Sequence, residues 1–351
     1  MELMHLLKSP RDLSYWSDDF NRADGPLDLT IYDYYTGGSY LNIQPRILSN
    51  ACKAPDPGTG TVLGKTAPKV LFPGYNHRVE FTPIEAANAV AQSGLICRMS
   101  NDGAKTMNLN IVDASHAGIS NFDGVVPTNR TSYDRTLCEV GDRYGFEVYG
   151  NEYVAYRLRA GKRLNLTAYT DTGYTLVPQA SQRFGFYAIS ANSSGTKYYG
   201  PAFDNFEAWD LPDRASGDFI ESGLQKNGST QSWPTSATWV DLSGVVAHSG
   251  CPGSVIASNG VTVRGSKAAA NFYAKVPFTG GSFTRTHTIR IVRVSDGAVI
   301  ATGDGVTSNA SSCFCEATAA VVDGEVYKIQ MNSNGSSAGT VPASTALLQI
   351  T

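Results

Sequence analysis

Two short segments set the outline of this chain. Asp18-Asp19-Phe20-Asn21-Arg22-Ala23-Asp24-Gly25, near the start, and Phe203-Asp204-Asn205-Phe206-Glu207-Ala208-Trp209-Asp210 alternate polar and apolar residues around aromatic rings. A period of two belongs to a strand with one buried face, so the segments read as the two ends of one β-domain. They enclose a unit of about 200 residues and, in a chain of 351, leave roughly 140 for a second.

Composition agrees with many short strands joined by turns. Only 17% of residues are charged, against about a quarter in an average protein, and there are 35 glycines. Alternating stretches bounded by Gly, Pro, Asn or Asp recur from residue 76 onward, among them His77–Phe81, Leu95–Met99, Met107–Ile111, Phe146–Tyr149, Tyr153–Leu158, Leu164–Tyr169 and Phe184–Ile189. Alternation in place of continuous apolar runs predicts antiparallel sheets with one wet face. The expected class is therefore all-β, with two antiparallel β-sandwich (jelly-roll) domains in tandem. Residues 83–93 read as a short helix, and Pro45–Pro73, rich in proline and poor in apolar residues, as a long surface loop.

Sixteen of the 18 tyrosines precede residue 212, which marks a change of domain. The expected division is an N-terminal arm over 1–15, a sandwich over 16–212, a linker over 213–231 and a second sandwich over 232–351. Ser295-Asp296-Gly297-Ala298 and Asp323-Gly324 read as hairpin turns in the second unit. Leu3, Met4, Leu6 and Leu7 suit one amphipathic turn, packed on the chain's own body or docked on a neighbouring subunit.

A net charge of −3, with nine basic and nine acidic residues after position 212, offers no basic field for a nucleic acid. The start lacks the pattern of a secretion signal, and no run of 18 apolar residues predicts membrane insertion. Six cysteines without regular spacing read as reduced core thiols; Cys313-Phe314-Cys315 puts two thiols on one face of a strand. Five histidines are scattered singly, without metal-ligand spacing.

The first unit, by its DDFNRADG and FDNFEAWD segments, resembles the concanavalin-like, laminin-G-like jelly rolls of bacteriophage tail proteins, whose first and last strands lie side by side. The second, over about residues 232–351, resembles the complement-q and tumour-necrosis-factor type of jelly roll. The resemblance rests on Phe272-Tyr273-Ala274, Asp323-Gly324-Glu325-Val326-Tyr327 and Ala346-Leu347-Leu348-Gln349-Ile350. That family forms compact trimers, so this resemblance implies a homotrimer; a monomeric sandwich is the alternative.

The first sandwich type is shared with glycan-cleaving enzymes of the laminarinase kind, which makes paired acids the pattern to look for. Retention needs two carboxylates about 5 to 5.5 Å apart, at spacing two or four on one strand. Only Asp24 with Asp28 and Asp323 with Glu325 are so spaced, both around Gly turns, and Glu139 with Asp142 has odd spacing. Acids on neighbouring strands could still meet. The expectation is of a chain that is not an enzyme. Two other groups are candidate sites. Tyr34, Tyr35, Tyr198 and Tyr199 could stack on sugar faces, although Tyr also simply favours strands. Asp19 and Asp204 would converge if the terminal strands pair, in a place where related sandwiches keep a structural calcium, although hydrogen bonding to turn amides explains them as well.

Together these features predict a structural protein of a phage virion, assembled in the host cytoplasm and situated in the tail, that contributes to attachment to a host cell-surface glycan alongside other tail proteins. A head decoration or fibre protein, or a lectin or enzyme acting on cell-wall polysaccharide, are the alternatives.

Overall fold

The computed structural model describes residues 15–35, 45–54, 56–59, 61–85, 91–113, 116–123, 126–131, 134–135, 140–214, 217–234, 238–343 and 345–351. The N-terminal arm, residues 86–90 of the expected helix, Tyr40, Cys138 and Glu139 lie outside them. Among the described residues there is no helix, and the chain is all-β, as expected. Its contacts divide it into two units, Met1–Gly161 with Leu166–Asp213, and Lys162–Asn165 with Arg214–Thr351.

Unit 1 begins with β1 (Tyr15–Asp18), β2 (Gly25–Pro26), β3 (Tyr32–Tyr35), β4 (Arg46–Ile47), β5 (Cys52–Lys53) and β6 (Thr61–Pro68). Next come β7 (Asn76–Pro83), β8 (Ser93–Met99), β9 (Lys105–Asp113), β10 (His116–Asp123), β11 (Val126–Asn129) and β12 (Asp134–Arg135). It closes with β13 (Arg143–Tyr149), β14 (Glu152–Arg159), β15 (Lys162–Thr170), β16 (Arg183–Ser193), β17 (Thr196–Tyr199) and β18 (Phe203–Leu211). Sheet 1 runs β15-β14-β13-β7-β18-β5-β4-β2, with β1 also on β18; sheet 2 runs β11-β10-β9-β8-β16-β6-β3, with β17 on β16 and β12 on β10.

The first and last strands do pair, Tyr15 opposite Trp209 and Asp18 opposite Phe206. Between the sheets, Phe186 meets Phe203 and Phe206 at 5.0 and 5.1 Å, and Trp16 meets Phe206 at 5.5 Å. The opening motif is thus a closure device. Asp18 is buried and accepts hydrogen bonds from Phe20 N (2.7 Å), from both terminal nitrogens of Arg22 (2.9 and 2.6 Å) and from the Tyr32 hydroxyl (2.5 Å). The turn it holds places Phe20 at φ +51°, with its ring in the core against Phe186 and Phe203.

Several expectations need correction. Pro45–Pro73 is not a surface loop, because it carries β4, β5 and the eight-residue β6, whose Leu63, Lys65 and Ala67 are fully buried. Lys65 and Gly64 interrupt the apolar alternation there, so the period was hidden. Sheet 2 has no wet face along β8, where all seven residues are buried. Residues 222–226, within the expected linker, form a strand that pairs with Leu347–Ile350 and buries Leu224, an apolar side chain the Gly/Ser-rich surroundings obscured.

In unit 2 one sheet runs Val245–Ala247, Ser222–Lys226, Leu347–Ile350, Lys267–Phe278 and Ser311–Val321. The facing sheet is built on Val255–Ala257, Gly260–Thr262, Val326–Ser333, Arg285–Arg293 and Val299–Thr302. Asp296-Gly297 does turn a hairpin, whereas Asp323-Gly324 carries the chain from one sheet to the other. Cys313 and Cys315 both point inward, and the five described cysteines are free and buried. Trp233 anchors the core, its indole N–H donating to Asn332 O at 2.9 Å and its ring edge-on to Phe278 and His287.

Asp18→Asn keeps the shape at the turn of unit 1 but removes the charge that Arg22 answers. Breaking a buried pair costs several kcal/mol; with Arg22 part-exposed, the loss is set at about 2 kcal/mol, or roughly 4–8 °C in the melting temperature of unit 1. Calorimetry of the full chain checks this, with the transition of unit 2 expected to stay in place.

Candidate functional site

In an antiparallel sheet, residues directly opposite one another share a face. Following register across sheet 2 from β3 to β10 gives one row: Tyr35 opposite Lys65, Lys65 opposite Tyr187, Tyr187 opposite Gly94, Gly94 opposite Asn110, and Asn110 opposite Gly118. Phe186 and Leu95, one position along, point into the sandwich, so the row lies on the face turned away from sheet 1. The next row on that face holds Ile96, Asn108 and Ser120. Gly94 is required here: a Cβ would come within 2.5 Å of the Tyr187 ring, which lies across that position.

This face is buried and polar at once. Along β9 the side chains of Thr106, Asn108 and Asn110 occupy it in succession, each at most 1% exposed. Around them Tyr35, Leu63, Ala67, Ile96, Met99, Phe122 and Tyr187 form an apolar cluster distinct from the sandwich core. Asn110 is fully engaged: its carbonyl accepts from the Tyr187 hydroxyl, and its amide donates to Ser120 Oγ at 2.7 Å. Asn108 is the contrast, because neither its Nδ2 nor its Oδ1 has a partner, and neither has Thr106 Oγ1. Leaving such groups unbonded costs about 1–3 kcal/mol each, so a native site that keeps them points to a ligand or ordered water.

Lys65 is fully buried in the middle of the row. Its Nζ donates to Gly103 O at 2.8 Å and lies 5.3 Å from the centre of the Phe122 ring. Burial lowers its pKa to about 8. Gly103 belongs to the β8–β9 turn and sits at φ +69°, with no room for a Cβ beside the Tyr35 ring. Arg183, which flanks Tyr35 at 5.5 Å from the ring centre, is paired with Asp33 at 2.8 Å.

Of the tyrosines predicted to meet sugars, Tyr35 stands in this row, with its hydroxyl buried and unpartnered. Burial pushes that hydroxyl up to about 12. Tyr34 points to the opposite face and donates to Leu27 O at 3.1 Å. Tyr198 and Tyr199 are half-buried on the short β17; Tyr198, opposite Ala191, shares the face of Tyr187, and Tyr199 does not. The Asn108 and Lys65 positions were missed. Neutral amides in the polar half of a strand were the available signal.

The predicted metal pair is near the closing strands. Asp19 accepts from Asn21 N at 3.1 Å and Asp204 from Asn205 N at 2.7 Å. Burial raises the Asp204 pKa, with the charges of Asp19 and Asp18 adding to it. Among the described residues no three His, Cys, Asp or Glu side chains gather as a metal site.

Acids do meet across strands, on the outer face of sheet 1. Glu80 and Glu207 are register partners, and Arg143 bridges them. The Tyr156 hydroxyl donates to Glu80, the Tyr15 hydroxyl to Glu207, and Arg78 pairs with Glu147 at 3.3 Å. Asp142 is held by Arg159 through two nitrogens at 2.8 and 2.6 Å. Asp24 and Asp28 cap backbone amides, as does Asp323, while Glu325 accepts from Arg293.

No family model and no curated protein matches the chain. Among solved structures it is similar to the CBM2 module of the evolved Dit of Lactobacillus casei BL23 phage J-1 (12% identity, 57% of this chain and 96% of that one, TM-score 0.38). It is also similar to Bacillus licheniformis β-glucanase (14%, 57% and 100%, 0.38) and to β-agarase B of Zobellia galactanivorans (12%, 59% and 99%, 0.38). These are jelly-roll β-sandwiches. Glucanases, a lichenase and agarases stand among the matches, and the expectation that the chain is not an enzyme is withdrawn.

Proposed function

We propose that unit 1 binds glycan at β17, and that the chain carries this site as a component of a tailed-bacteriophage virion, in its tail, for attachment to a host surface. The observation that carries the binding reading is the pair Tyr198 and Tyr199, neighbouring rings that β17 leaves partly exposed. A flat amphipathic ring stacks on a sugar face while its hydroxyl hydrogen-bonds. What supports the virion part is the likeness of the terminal segments to phage tail sandwiches, together with the pairing of β1 and β18 that the likeness implies. Binding is the step that attachment and cleavage have in common, so it is tested first.

Tyr198→Ala separates binding from folding. Truncating a half-exposed ring is expected to change the stability of unit 1 by no more than about 1 kcal/mol, while affinity for host cell-wall polysaccharide falls at least about tenfold, or 1.4 kcal/mol. Calorimetric melting and titration with solubilised polysaccharide read the two effects. A variant that binds as well as the parent sinks this site.

The reading has two separable parts. A homotrimer built through unit 2, which would multiply weak sites into avidity, is expected to sediment at about three times 37.5 kDa; a monomer at micromolar concentration removes symmetry as the source of avidity. A calcium ion between Asp19 and Asp204 would relieve the repulsion of two neighbouring carboxylates. Excess chelator is then expected to lower the melting temperature of unit 1 and leave unit 2 unchanged, and an unmoved transition leaves both acids as turn caps.

A further inference from the structure

We infer that unit 2 carries a separate site for an acidic sugar, whose carboxylate meets the Arg290 guanidinium beside the Trp239 ring.

The pair lies on the outer face of the sheet that holds Val326–Ser333 and Arg285–Arg293. Along both strands buried residues alternate with partly exposed ones. Ile289, Ile291, Ile329 and Met331 join the core, so Arg290 and Gln330, which are register partners, face outward. Asp241, opposite Gln330 in the short strand Val240–Asp241, and Thr302, opposite Arg290, extend that row at either end. The Asp241 side chain is 32% exposed and that of Lys328 beside it 19%, and Thr302 is exposed, so the row is open to solvent. Trp239 stands two positions before Asp241 and is itself partly exposed. Its ring centre is 4.2 Å from the Arg290 guanidinium carbon.

Trp233 shows what Trp239 lacks. Trp233 is buried and donates its indole N–H to Asn332 O. Trp239 takes no part in the core, and among the described residues its N–H has no partner. Arg290, in turn, is held but not answered. Lys328 Nζ and Gln330 Nε2 both donate to Asp241, at 2.8 Å each, and Gln330 Oε1 accepts from Arg290 Nε at 2.9 Å. Lys328 thus neutralises Asp241, whereas among the described residues no carboxylate pairs with Arg290. A guanidinium has five N–H donors; Nε is used, and Nη1 and Nη2 have no partner among the described residues.

The bond to Gln330 and the stack on the indole fix the plane of that free edge. A carboxylate can dock on it through two parallel hydrogen bonds, with little further loss of side-chain freedom. An indole is broader than a guanidinium, and the ring surface beside Arg290 suits the apolar face of a sugar. In a uronic acid the carboxylate is attached directly to the pyranose ring, which matches one aromatic ring and one cation side by side. A neutral sugar would use the indole alone.

The test titrates the full chain with oligogalacturonate and oligomannuronate, and with their methyl esters, which keep the sugar and lose the charge. At least one acid is expected to bind about tenfold tighter than its ester. Arg290→Gln should abolish that preference, and Arg290→Lys, which keeps the charge without the fork, should retain only part of it. Trp239→Ala should weaken acid and ester alike. Two further readings leave Arg290 unaltered. Affinity of the parent for the acid should fall as salt is raised, while affinity for the ester should not. Binding should also change the indole fluorescence of the parent, and that change should be missing in Trp239→Phe. Tyr198→Ala, in unit 1, should leave the acid preference in place, so failure here is told apart from failure at β17. Equal affinity for acid and ester, no binding of either acid, or a preference that survives Arg290→Gln overturns the inference.

Discussion

A sheet buried on both faces has nowhere to send its polar half. Sheet 2 of unit 1 is such a sheet: along β8 every side chain is buried, and along β9 Thr106, Asn108 and Asn110 are as buried as the Leu109 and Ile111 between and beyond them. Water cannot answer those groups, so each must find a protein partner, a ligand or trapped water. The chain from Tyr187 through Asn110 to Ser120 does this internally. Asn108 has no such chain, although the two asparagines stand two positions apart on one strand.

The two outer faces of unit 1 show opposite solutions to the problem of polar groups near an apolar surface. On sheet 1, charge is met by charge: Arg143 joins Glu80 to Glu207, two tyrosine hydroxyls complete them, and Arg78 answers Glu147. Such a network ties five strands together, and its carboxylates are already committed. On sheet 2 the groups are mostly neutral and several are uncommitted, which lowers stability. Stability given up at one face is a common mark of function.

Closure of the sandwich is what allows that expenditure. β1 and β18 come from opposite ends of unit 1, and their pairing is held by Asp18, which gathers Phe20 N, Arg22 and Tyr32. The Phe20 and Tyr32 rings then meet Phe186, which sits in β16 between the inner strands of sheet 2. The motif that delimits the unit in the sequence thus supports, through one aromatic core, the strand that carries Tyr187 on its other side.

What the sequence determined by itself was local. A period of two identified most strands, the aromatic alternation at both ends located the closing pair, the fall in tyrosine content marked a change of build near residue 212, and Asp296-Gly297 was legible as a hairpin. Tyr35 was found as a candidate because Tyr has an obvious chemistry, while Lys65 was lost in a stretch that proline made look like loop. Tertiary structure alone decided the rest. Alternation says which residues share a face but not what covers it, so Thr106, Asn108 and Asn110 read as wet and are buried. Register between strands far apart in the chain is set by core packing, and only that register placed Lys65 between Tyr35 and Tyr187 and Glu80 opposite Glu207.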